Sequence, residues 1–249
     1  MLAPIKVASS FRIIAHRGAS AYAPENSLSA FNLAVKMGAK EIETDTQLSA
    51  DGKVVLCHDL TLDRYGYEGQ IVEKMSWPEL ASLDLGSWYS PFLFKNERMI
   101  TLNDLLTSFQ QELIYHIELK GKARELPGAV YRIIDEAGLH QQCIITSFSY
   151  EHLAAMRAVS PIIRLGWLVD KLDPGVLNQA GSLNLFQLCP RADQIQAEDV
   201  AKARTVVQEI RAWGLTGSST EVIKLIQQVI KAGSDGLTIN WPDWLNHIG

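Results

Sequence analysis

The sequence predicts an α/β protein that folds as a closed barrel of eight parallel strands with helices around it. Short runs rich in β-branched residues alternate with amphipathic stretches from one end of the chain to the other, which is typical of repeated strand–helix units. Eight such units in a chain of 249 residues favour a closed barrel, because (β/α)8 barrels commonly have this length as a single domain. An open, doubly wound sheet stays the alternative fold.

Each predicted strand is a short apolar run bounded by charged or turn-forming residues. In chain order these strands are Arg12–Ala15, Glu41–Gln47, Leu113–Leu119, Cys143–Thr146, Ile162–Val169, Leu183–Leu188, Val206–Trp213 and Gly236–Ile239. The predicted helices repeat apolar residues three and four positions apart, as expected of helices that cover a sheet. They are Ser27–Met37, Leu102–Phe109, Ala123–Ala137, Tyr150–Val159, Asp173–Gln179, Ala197–Ala203 and Ser219–Ala232.

One segment interrupts this alternation. A further short strand, Val54–Cys57, follows the second barrel strand, and a polar stretch rich in aromatic residues and glycine continues to about Ile100. A long insertion beside candidate site residues is typical of a lid or a small subdomain. We therefore expect a single domain, residues 1–249, with an insertion subdomain at residues 60–100 after the second strand.

The composition limits the possible partners and the compartment. With 47% hydrophobic residues, a net charge of −5 and no run of five or more basic residues, the chain is a soluble globular protein without a nucleic-acid-binding surface. Cys57, Cys143 and Cys189 are far apart and lie in or beside apolar runs, which indicates free thiols in a reducing compartment. No leader-like segment and no apolar stretch of ~20 residues is visible, so we expect a cytoplasmic protein with no membrane span.

Carboxylates lie near the ends of two predicted strands. Side chains alternate along a strand, so Glu43 and Asp45 point to the same face, with α-carbons ~6.6 Å apart. Glu118 lies on the next barrel strand, two residues after His116 on the same face. Three carboxylates at one barrel end repel each other without a counter-charge, and they favour Mg²⁺ or Ca²⁺ as cofactor. For Glu43 and Asp45 alone, the alternative is a salt-bridged surface strand.

Two histidines and two cations accompany the acids. His16 and Arg17 follow the first strand directly, and His58 follows the short extra strand. Histidine transfers protons near neutral pH, and the fork of arginine donors suits a phosphate. Lys120 supplies a second cation, so the expected partner is a small anionic molecule. Trp213 ends the seventh strand, where lining a pocket and packing in the core are equally compatible with the sequence.

The chain contains a series of short motifs around these residues. In chain order they are His16-Arg17-Gly18-Ala19, Ala23-Pro24-Glu25-Asn26-Ser27, Glu43-Thr44-Asp45, Asp51-Gly52, His58-Asp59-Leu60-Thr61-Leu62-Asp63-Arg64, Ile117-Glu118-Leu119-Lys120 and Asp235-Gly236. Together they resemble the motifs of the glycerophosphodiester phosphodiesterase family. The resemblance follows the family's motif order over nearly the whole chain and is densest between Phe11 and Arg64.

The resemblance implies a TIM barrel with a small insertion after the second strand, placed over the substrate. It also implies metal-dependent hydrolysis of glycerophosphodiesters to sn-glycerol 3-phosphate and an alcohol. By position, the implied acid–base pair is His16 and His58, the implied metal ligands are Glu43, Asp45 and Glu118, and the implied substrate or phosphate contacts are Arg17, Lys120 and Trp213.

Three segments depart from the family pattern: Tyr65–Gly69, Met99–Leu102 and Trp213–Thr216. None of them removes a catalytic group, and the first and third are expected to border the pocket and affect substrate choice. Two other functions stay open: a lysophospholipase D-like phosphodiesterase on the same barrel, and a non-catalytic phosphate-ester binding protein. The sequence does not determine the head group, the metal, the roles of the two histidines or the oligomeric state.

Overall fold

The computed structural model describes residues 3–248. Its strands, in chain order, are β1 (Ile5–Val7), β2 (Arg12–His16), β3 (Glu41–Leu48), β4 (Val54–Leu56), β5 (Thr61–Leu62), β6 (Tyr67–Ile71), β7 (Ile114–Leu119), β8 (Cys143–Ser147), β9 (Arg164–Val169), β10 (Gln187–Pro190), β11 (Glu209–Ala212), β12 (Gly236–Ile239) and β13 (Leu245–His247). Its α-helices are α1 (Leu28–Lys36), α2 (Trp77–Ser82), α3 (Leu102–Phe109), α4 (Leu126–Ala137), α5 (Tyr150–Val159), α6 (Pro174–Ser182), α7 (Ala197–Ala203) and α8 (Ser219–Lys231).

Eight of the strands form a closed parallel barrel. They are hydrogen-bonded in the order β2-β12-β11-β10-β9-β8-β7-β3, and β2 also pairs with β3. This last pairing, in which His16 lies opposite Glu43, closes the barrel. The predicted (β/α)8 barrel is therefore confirmed against the open sheet. The helices α1 and α3 to α8 connect successive barrel strands, whereas a single turn at Pro242–Trp244 follows β12.

The predicted strand bounds differ most from the observed ones where apolar residues lie in the connection between a helix and the next strand. The strand expected at Leu183–Leu188 begins only at Gln187, because α6 continues to Ser182 and the chain then turns at Asn184, where φ is 48°. Leu183 and Leu185 nevertheless pack against the main core. Their burial produces the same apolar pattern as a strand, so the sequence alone does not separate the two.

Two groups of elements outside the barrel were not predicted. Strands β1 and β13 form a separate parallel pair, with Ile5 opposite Leu245. In the segment between β4 and α3, β5 and β6 form an antiparallel pair and α2 begins with a capping box from Ser76 and Glu79. This segment packs on a small apolar cluster of its own, which consists of Val55, Cys57, Leu62, Val72, Leu80, Leu85 and Met99.

The main apolar core lies between the barrel strands and the helices, while the barrel interior holds a polar group at its amino end. Arg12 binds Glu41 at 2.7 Å and Glu209 at 2.6 Å, so it joins the first residues of three strands. Glu41 also lies 2.9 Å from His116 Nε2, and Glu209 accepts from the amide of Gln187. We refer to these five residues as the lower cluster.

Candidate active site

A pocket of about 230 Å³ lies at the carboxyl ends of the barrel strands. Seven of the eight predicted site residues line it: His16, Arg17, Glu43, His58, Glu118, Lys120 and Trp213. The eighth, Asp45, is buried beside Glu43 and Glu118. The structure therefore brings all eight residues together at one end of the barrel, although they come from five different strands and their loops.

Glu43, Asp45 and Glu118 form a compact group of acids, which we call the acid triad. One carboxylate oxygen from each lies within 4.8 Å of the others, and all three side chains are buried. Oδ1 of Asp45 is buried and has no hydrogen-bond partner among the described residues. Three convergent carboxylates, one with a free oxygen, fit a hard divalent cation that prefers oxygen ligands. The triad can therefore hold such an ion.

The pKa values of the triad carboxyl groups reflect the repulsion between three buried acids. Burial and the charge of Asp45 raise the pKa of Glu118 to about 7, and the same two causes raise the pKa of Glu43 well above its usual value. Burial would also raise the pKa of Asp45, but Arg17 and its other neighbours, Lys120 among them, together outweigh burial and lower this pKa. A bound cation would relieve this repulsion.

Asp45 is held by two residues from the loop after β2. The Arg17 Nε lies 3.0 Å from Asp45 Oδ2, and the Asn26 side-chain amide donates to the same oxygen at 3.0 Å. The Asn26 carbonyl oxygen in turn accepts from the Thr44 hydroxyl at 2.8 Å. These contacts leave only the other carboxylate oxygen of Asp45 free, and they orient it.

The loop after β2 is tightly constrained. Arg17 and Asn26 both have a φ of 55°, and Gly18 has a φ of 83°. A Cβ on Gly18 would lie 2.6 Å from the backbone carbonyl carbon of Ala30 in α1, so only glycine allows the loop to pack this closely. Left-handed conformations at non-glycine residues cluster at functional sites, and here they place Arg17 and Asn26 against the acid triad.

His16 is the last residue of β2. Its Nδ1 lies 2.6 Å from the side-chain oxygen of Asn240, and its Nε2 lies 3.8 Å from a carboxylate oxygen of Glu43. Because an amide oxygen only accepts, Nδ1 carries the hydrogen and Nε2 keeps its lone pair. Burial and the charge of Arg17 lower the pKa of His16 to about 3. The ring is therefore neutral at neutral pH and is able to accept a proton at Nε2.

His58 lies in the loop after β4. Its Nδ1 is 2.6 Å from Asp59 Oδ1, and Asp59 is also bound by Arg64 at 2.7 Å. The buried amide of Gln47 donates to the backbone carbonyls of Cys57 and Asp59, at 2.8 Å each. Gln47 thus fixes the backbone on both sides of His58, and Asp59 fixes the ring so that Nε2 is the nitrogen left for a ligand.

The two predicted phosphate contacts already have partners within the site. Arg17 donates to Glu25 at 3.0 Å in addition to its contact with Asp45, and its pKa is raised by the neighbouring acids despite burial. Lys120 Nζ lies 3.1 Å from Glu118 Oε1 and 5.5 Å from the ring centroid of Phe148. Both cations therefore lie next to the acid triad rather than facing bulk solvent.

Trp213 forms part of the pocket wall. Its indole nitrogen donates to the carbonyl of Val169 at 3.1 Å, and its ring meets Phe148 edge to face with centroids 4.8 Å apart. Of the two alternatives that the sequence left open, lining a pocket describes its position.

Sequence reasoning missed several residues that orient the site. By residue type, Asn26 and Ser27 are both suitable helix N-caps. Ser27 takes that role for α1, and Asn26 binds Asp45 instead. Gln47 continues the alternation of Glu43 and Asp45 on β3, so the period of two could have found it. Asn240 carries no comparable signal, because its contact with His16 depends on the pairing of β12 with β2.

Comparison with known proteins decides the family. The model of the glycerophosphoryl diester phosphodiesterase family matches residues 16–243. The chain belongs to this family. The matched range begins at His16 and includes every residue of the pocket described above.

Similar proteins cover nearly the full chain. YhdW of Bacillus subtilis, provisionally named as a glycerophosphodiester phosphodiesterase, is 32% identical over 239 residues, which cover 94% of this chain and 96% of the relative. The glycerophosphodiester phosphodiesterase of Caldanaerobacter subterraneus is 28% identical, with 94% and 95% covered. A solved phosphodiesterase from Oleispira antarctica, in complex with the product sn-glycerol-3-phosphate, has a TM-score of 0.83 at 26% identity and covers 93% of this chain and 94% of that one.

These comparisons confirm the predicted family, the predicted TIM barrel and the predicted enzyme class. The residue roles, the identity of the metal and the substrate's alcohol stay proposals. Within residues 3–248, no helix has the length and apolarity that crossing a membrane requires.

Proposed function

We propose that this phosphodiesterase hydrolyses glycerophosphodiesters to sn-glycerol 3-phosphate and an alcohol, with a divalent cation and two histidines. The observation that supports this most directly is the position of His16 and His58 in one pocket with the acid triad, whose ligand oxygens lie within 4.8 Å of one another. This arrangement provides a cation site, two proton-transfer groups and two side-chain cations around a space of about 230 Å³. Hydrolysis of a glycerophosphodiester by this mechanism uses the cation site, both proton-transfer groups and both side-chain cations.

The acid triad would hold the cation. Its all-carboxylate donor set suits Mg²⁺ or Ca²⁺ better than zinc, which more often takes histidine or cysteine. A cation bound there would supply Lewis-acid stabilisation of negative charge on the phosphate and would lower the pKa of a substrate hydroxyl. Asn26 and Arg17 orient Asp45 for this role, because they bind one of its oxygens and leave the other free.

We assign His16 the role of general base. Its Nε2 has a lone pair, because Nδ1 donates to Asn240, and burial lowers the pKa of the ring to about 3. A neutral imidazole accepts a proton from the attacking oxygen without first having to lose one. Glu43, 3.8 Å from Nε2, then stabilises the imidazolium that forms.

We assign His58 the role of general acid. Asp59 accepts the hydrogen of Nδ1 at 2.6 Å, so its negative charge stabilises the ring when both nitrogens carry hydrogen. Nε2 then donates a proton to the oxygen of the departing alcohol. Gln47 and Arg64 position this pair by binding the flanking backbone and the Asp59 carboxylate.

Arg17 and Lys120 would stabilise the charge on the phosphoryl oxygens during the reaction. Both line the pocket close to the acid triad, so their positive charge extends the charge of the cation toward the substrate. Trp213 and Phe148 form an apolar wall beside them, and we propose that this wall packs against the carbon atoms of the substrate.

The two other functions receive less support from this site. A long acyl chain of a lysophospholipid would have to lie outside a pocket of about 230 Å³. A non-catalytic binding protein would not need both histidines, each with its own orienting partner. The free, buried state of Cys57, Cys143 and Cys189 supports a reducing, cytoplasmic location as part of the proposal.

The proposal is tested by following glycerophosphoethanolamine by ³¹P NMR with the wild type and with His58→Ala. The wild type should produce sn-glycerol 3-phosphate in the presence of Mg²⁺ or Ca²⁺, and excess EDTA should abolish the product. A transient cyclic phosphate signal would identify attack by the glycerol hydroxyl, whereas its absence would favour water. Full activity in EDTA would refute the metal role, and full activity of His58→Ala would refute the acid–base assignment.

The order of the two histidines is tested with a better leaving group. A diester of an acidic phenol needs no protonation of its leaving oxygen, so it should restore much of the rate of the variant that lacks the general acid. We expect His58→Ala to be rescued and His16→Ala not to be. Rescue of His16→Ala alone would reverse the two assignments.

A further inference from the structure

Arg211 is a buried cation that none of the roles above uses. It is the third residue of β11, and only 1% of its surface is exposed. It lines the active-site pocket. One guanidinium nitrogen, Nη1, donates to the hydroxyl of Thr238. The other two, Nε and Nη2, are buried and have no hydrogen-bond partner among the described residues. Buried guanidinium groups are normally fully bonded.

The charge of Arg211 also lacks a direct partner. Within residues 3–248, no carboxylate oxygen lies within the 4.0 Å that defines an ion pair with Arg211. Two acids that interact electrostatically with Arg211 at longer range are already engaged, because Glu209 binds Arg12 at 2.6 Å and Glu43 belongs to the acid triad. The thiol of Cys189, which lies beside the guanidinium, is only a weak acceptor. A buried charge without a partner is strongly destabilising, so its presence requires a compensating ligand.

Arg211 lies below the groups that surround the scissile phosphate. Trp213 is two residues beyond Arg211, and Asn240, which binds His16, is two residues beyond Thr238. Two residues along a strand span about 6.6 Å, so Arg211 and Thr238 form a level below His16. The bond to Thr238 holds the guanidinium there. A phosphate beside His16 would leave this lower level to another part of the substrate.

We propose that Arg211 and Thr238 form an oxyanion subsite at the closed end of the pocket. This subsite selects phosphodiesters that carry a second anionic oxygen group, a carboxylate or a phosphate, next to the scissile phosphate. Nε and Nη2 of Arg211 donate to that group, and the Thr238 hydroxyl, which accepts from Arg211, has its own hydrogen left to donate. The assignment rests on the proposed phosphodiesterase function.

The chemistry of the subsite favours an anion over a hydroxyl. A hydroxyl oxygen would satisfy one N–H but would leave the buried positive charge uncompensated, whereas a carboxylate satisfies both N–H groups and the charge. Leu168 also lines this pocket and is buried. Its apolar surface excludes water, which strengthens a charge-assisted hydrogen bond.

The anionic group can belong to either side of the phosphodiester, and two substrate pairs distinguish them. Glycerophosphoserine and glycerophosphoethanolamine differ by a carboxylate on the departing alcohol. The ethanolamine diester of 3-phosphoglycerate and glycerophosphoethanolamine differ by a carboxylate on the three-carbon unit. We expect the wild type to prefer the carboxylate-bearing member of one pair by at least ~10-fold in kcat/KM, and the pair concerned identifies the side.

The matched variants are Arg211→Gln and Arg191→Gln. Arg191 lies next to Trp213 but does not line the active-site pocket, its side chain is 39% exposed, and it already pairs with Asp193 at 2.7 Å. Arg211→Gln should reduce the carboxylate preference, measured as the ratio of kcat/KM within the pair, at least ~10-fold. Arg191→Gln should keep the preference. Arg211→Lys, which keeps the charge but not the fork of donors, should retain part of it.

Three results would overturn the inference. Equal kcat/KM within both substrate pairs would show that the wild type does not recognise a second anion. A uniform loss with all diesters in Arg211→Gln would assign Arg211 to the scissile phosphate or to charge balance of the acid triad. If Arg211→Gln does not fold, inhibition of the wild type decides: equal inhibition by glycerate and glycerol, and by serine and ethanolamine, contradicts the subsite. Failure of all diesters to react would instead refute the proposed function.

Discussion

The two ends of the barrel interior carry the same kinds of side chain, but these side chains are paired with each other at one end and partly unpaired at the other. At the amino end, the lower cluster joins Arg12, Glu41 and Glu209 in contacts of 2.6–2.7 Å, and His116 lies 2.9 Å from Glu41. At the carboxyl end, the acid triad, His16 and Arg211 lie on β2, β3, β7 and β11, which also carry four residues of the lower cluster. There, Asp45 Oδ1 and two nitrogens of Arg211 have no partner among the described residues.

This difference separates structure from function. Paired charges satisfy each other and connect strands across the barrel, whereas charges left without partners are stable only when a ligand supplies the missing contact. The same strand serves both purposes, since Glu41 in β3 belongs to the lower cluster and Glu43, two residues later, belongs to the acid triad. Residue type therefore does not distinguish the two ends, but the pairing of charges does. Nδ1 of His116 is also without a hydrogen-bond partner among the described residues, yet Arg12, Glu41 and Glu209 each have an opposite charge beside them.

The largest expected difference is in turnover. His58→Ala should reduce kcat by about 10²–10⁴-fold, because it removes the general acid, with little change in the free energy of unfolding. His116→Asn should keep kcat within about 3-fold, because the polar partner of His116 among the described residues is Glu41 of the lower cluster. Both values come from steady-state kinetics with glycerophosphoethanolamine. A comparable loss of kcat in His116→Asn would contradict the separation of the two ends.

The next largest difference is in stability. Glu41→Ala removes the partner of both Arg12 and His116, and it should lower the free energy of unfolding by about 3 kcal/mol. Glu43→Gln relieves repulsion within the acid triad of the metal-free protein, so it should leave stability unchanged or raise it. Urea denaturation in EDTA compares the two variants. If Glu43→Gln were destabilised as strongly as Glu41→Ala, the triad would be a structural network rather than a ligand site.

A smaller effect concerns pH. Burial lowers the pKa of His116 in the folded protein to about 4, from an ordinary value of 6.5. Between these two pH values the unfolded chain binds a proton that the folded protein does not bind, so stability falls as the pH is lowered from 6.5. The decrease is at most about 1.4 kcal/mol per pH unit for one such group. In the metal-free protein Glu118, whose pKa is raised to about 7, and Glu43, whose pKa is also raised, act in the opposite direction over this range. The contribution of His116 is therefore the difference between the wild type and His116→Asn in denaturation curves between pH 6.5 and 5.

His116→Asn should remove this contribution to the pH dependence of stability. His140→Asn provides the control, because His140 is partly exposed and pairs with the exposed Asp135 at 3.0 Å. His16, whose pKa is also lowered by burial, should contribute in the same direction. If the wild type and His116→Asn had the same pH dependence over this range, His116 would be protonated in the folded protein.

The sequence predicted the site better than it predicted the elements that orient the site. His16, Glu118 and Lys120 lie at or just after strand ends, and Glu43 and Asp45 lie within β3. In all of these positions the period of two determines which side chains share a face. The contacts of Asn240 and Arg211 depend on how β12 and β11 pair with their neighbours, which no local pattern contains. For the same reason the sequence placed His116 on the face of Glu118 but did not show that it pairs with Glu41.

The fold shows a similar division. The order of eight strands and seven helices follows from alternating periodicities, because each barrel unit is a local pattern. The pairing of β1 with β13 joins residues about as far apart in sequence as the chain allows, with Lys6 opposite Asn246, and neither strand is long enough to be recognised alone. The strand bounds near Leu183 and Leu185 were missed because these buried connection residues have the apolar character of a strand.

The most direct test of the contrast between the two ends is the thermal stabilisation that a divalent cation produces. Metal-free wild type, Glu41→Ala and Asp45→Asn are each unfolded with and without Mg²⁺ or Ca²⁺ at about 100 times the wild-type Kd. We predict that Tm rises by about 5–10 °C in the wild type and in Glu41→Ala, and that it does not rise in Asp45→Asn. An equal rise in Asp45→Asn, or no rise in the wild type, would contradict the assignment of the acid triad as the cation site.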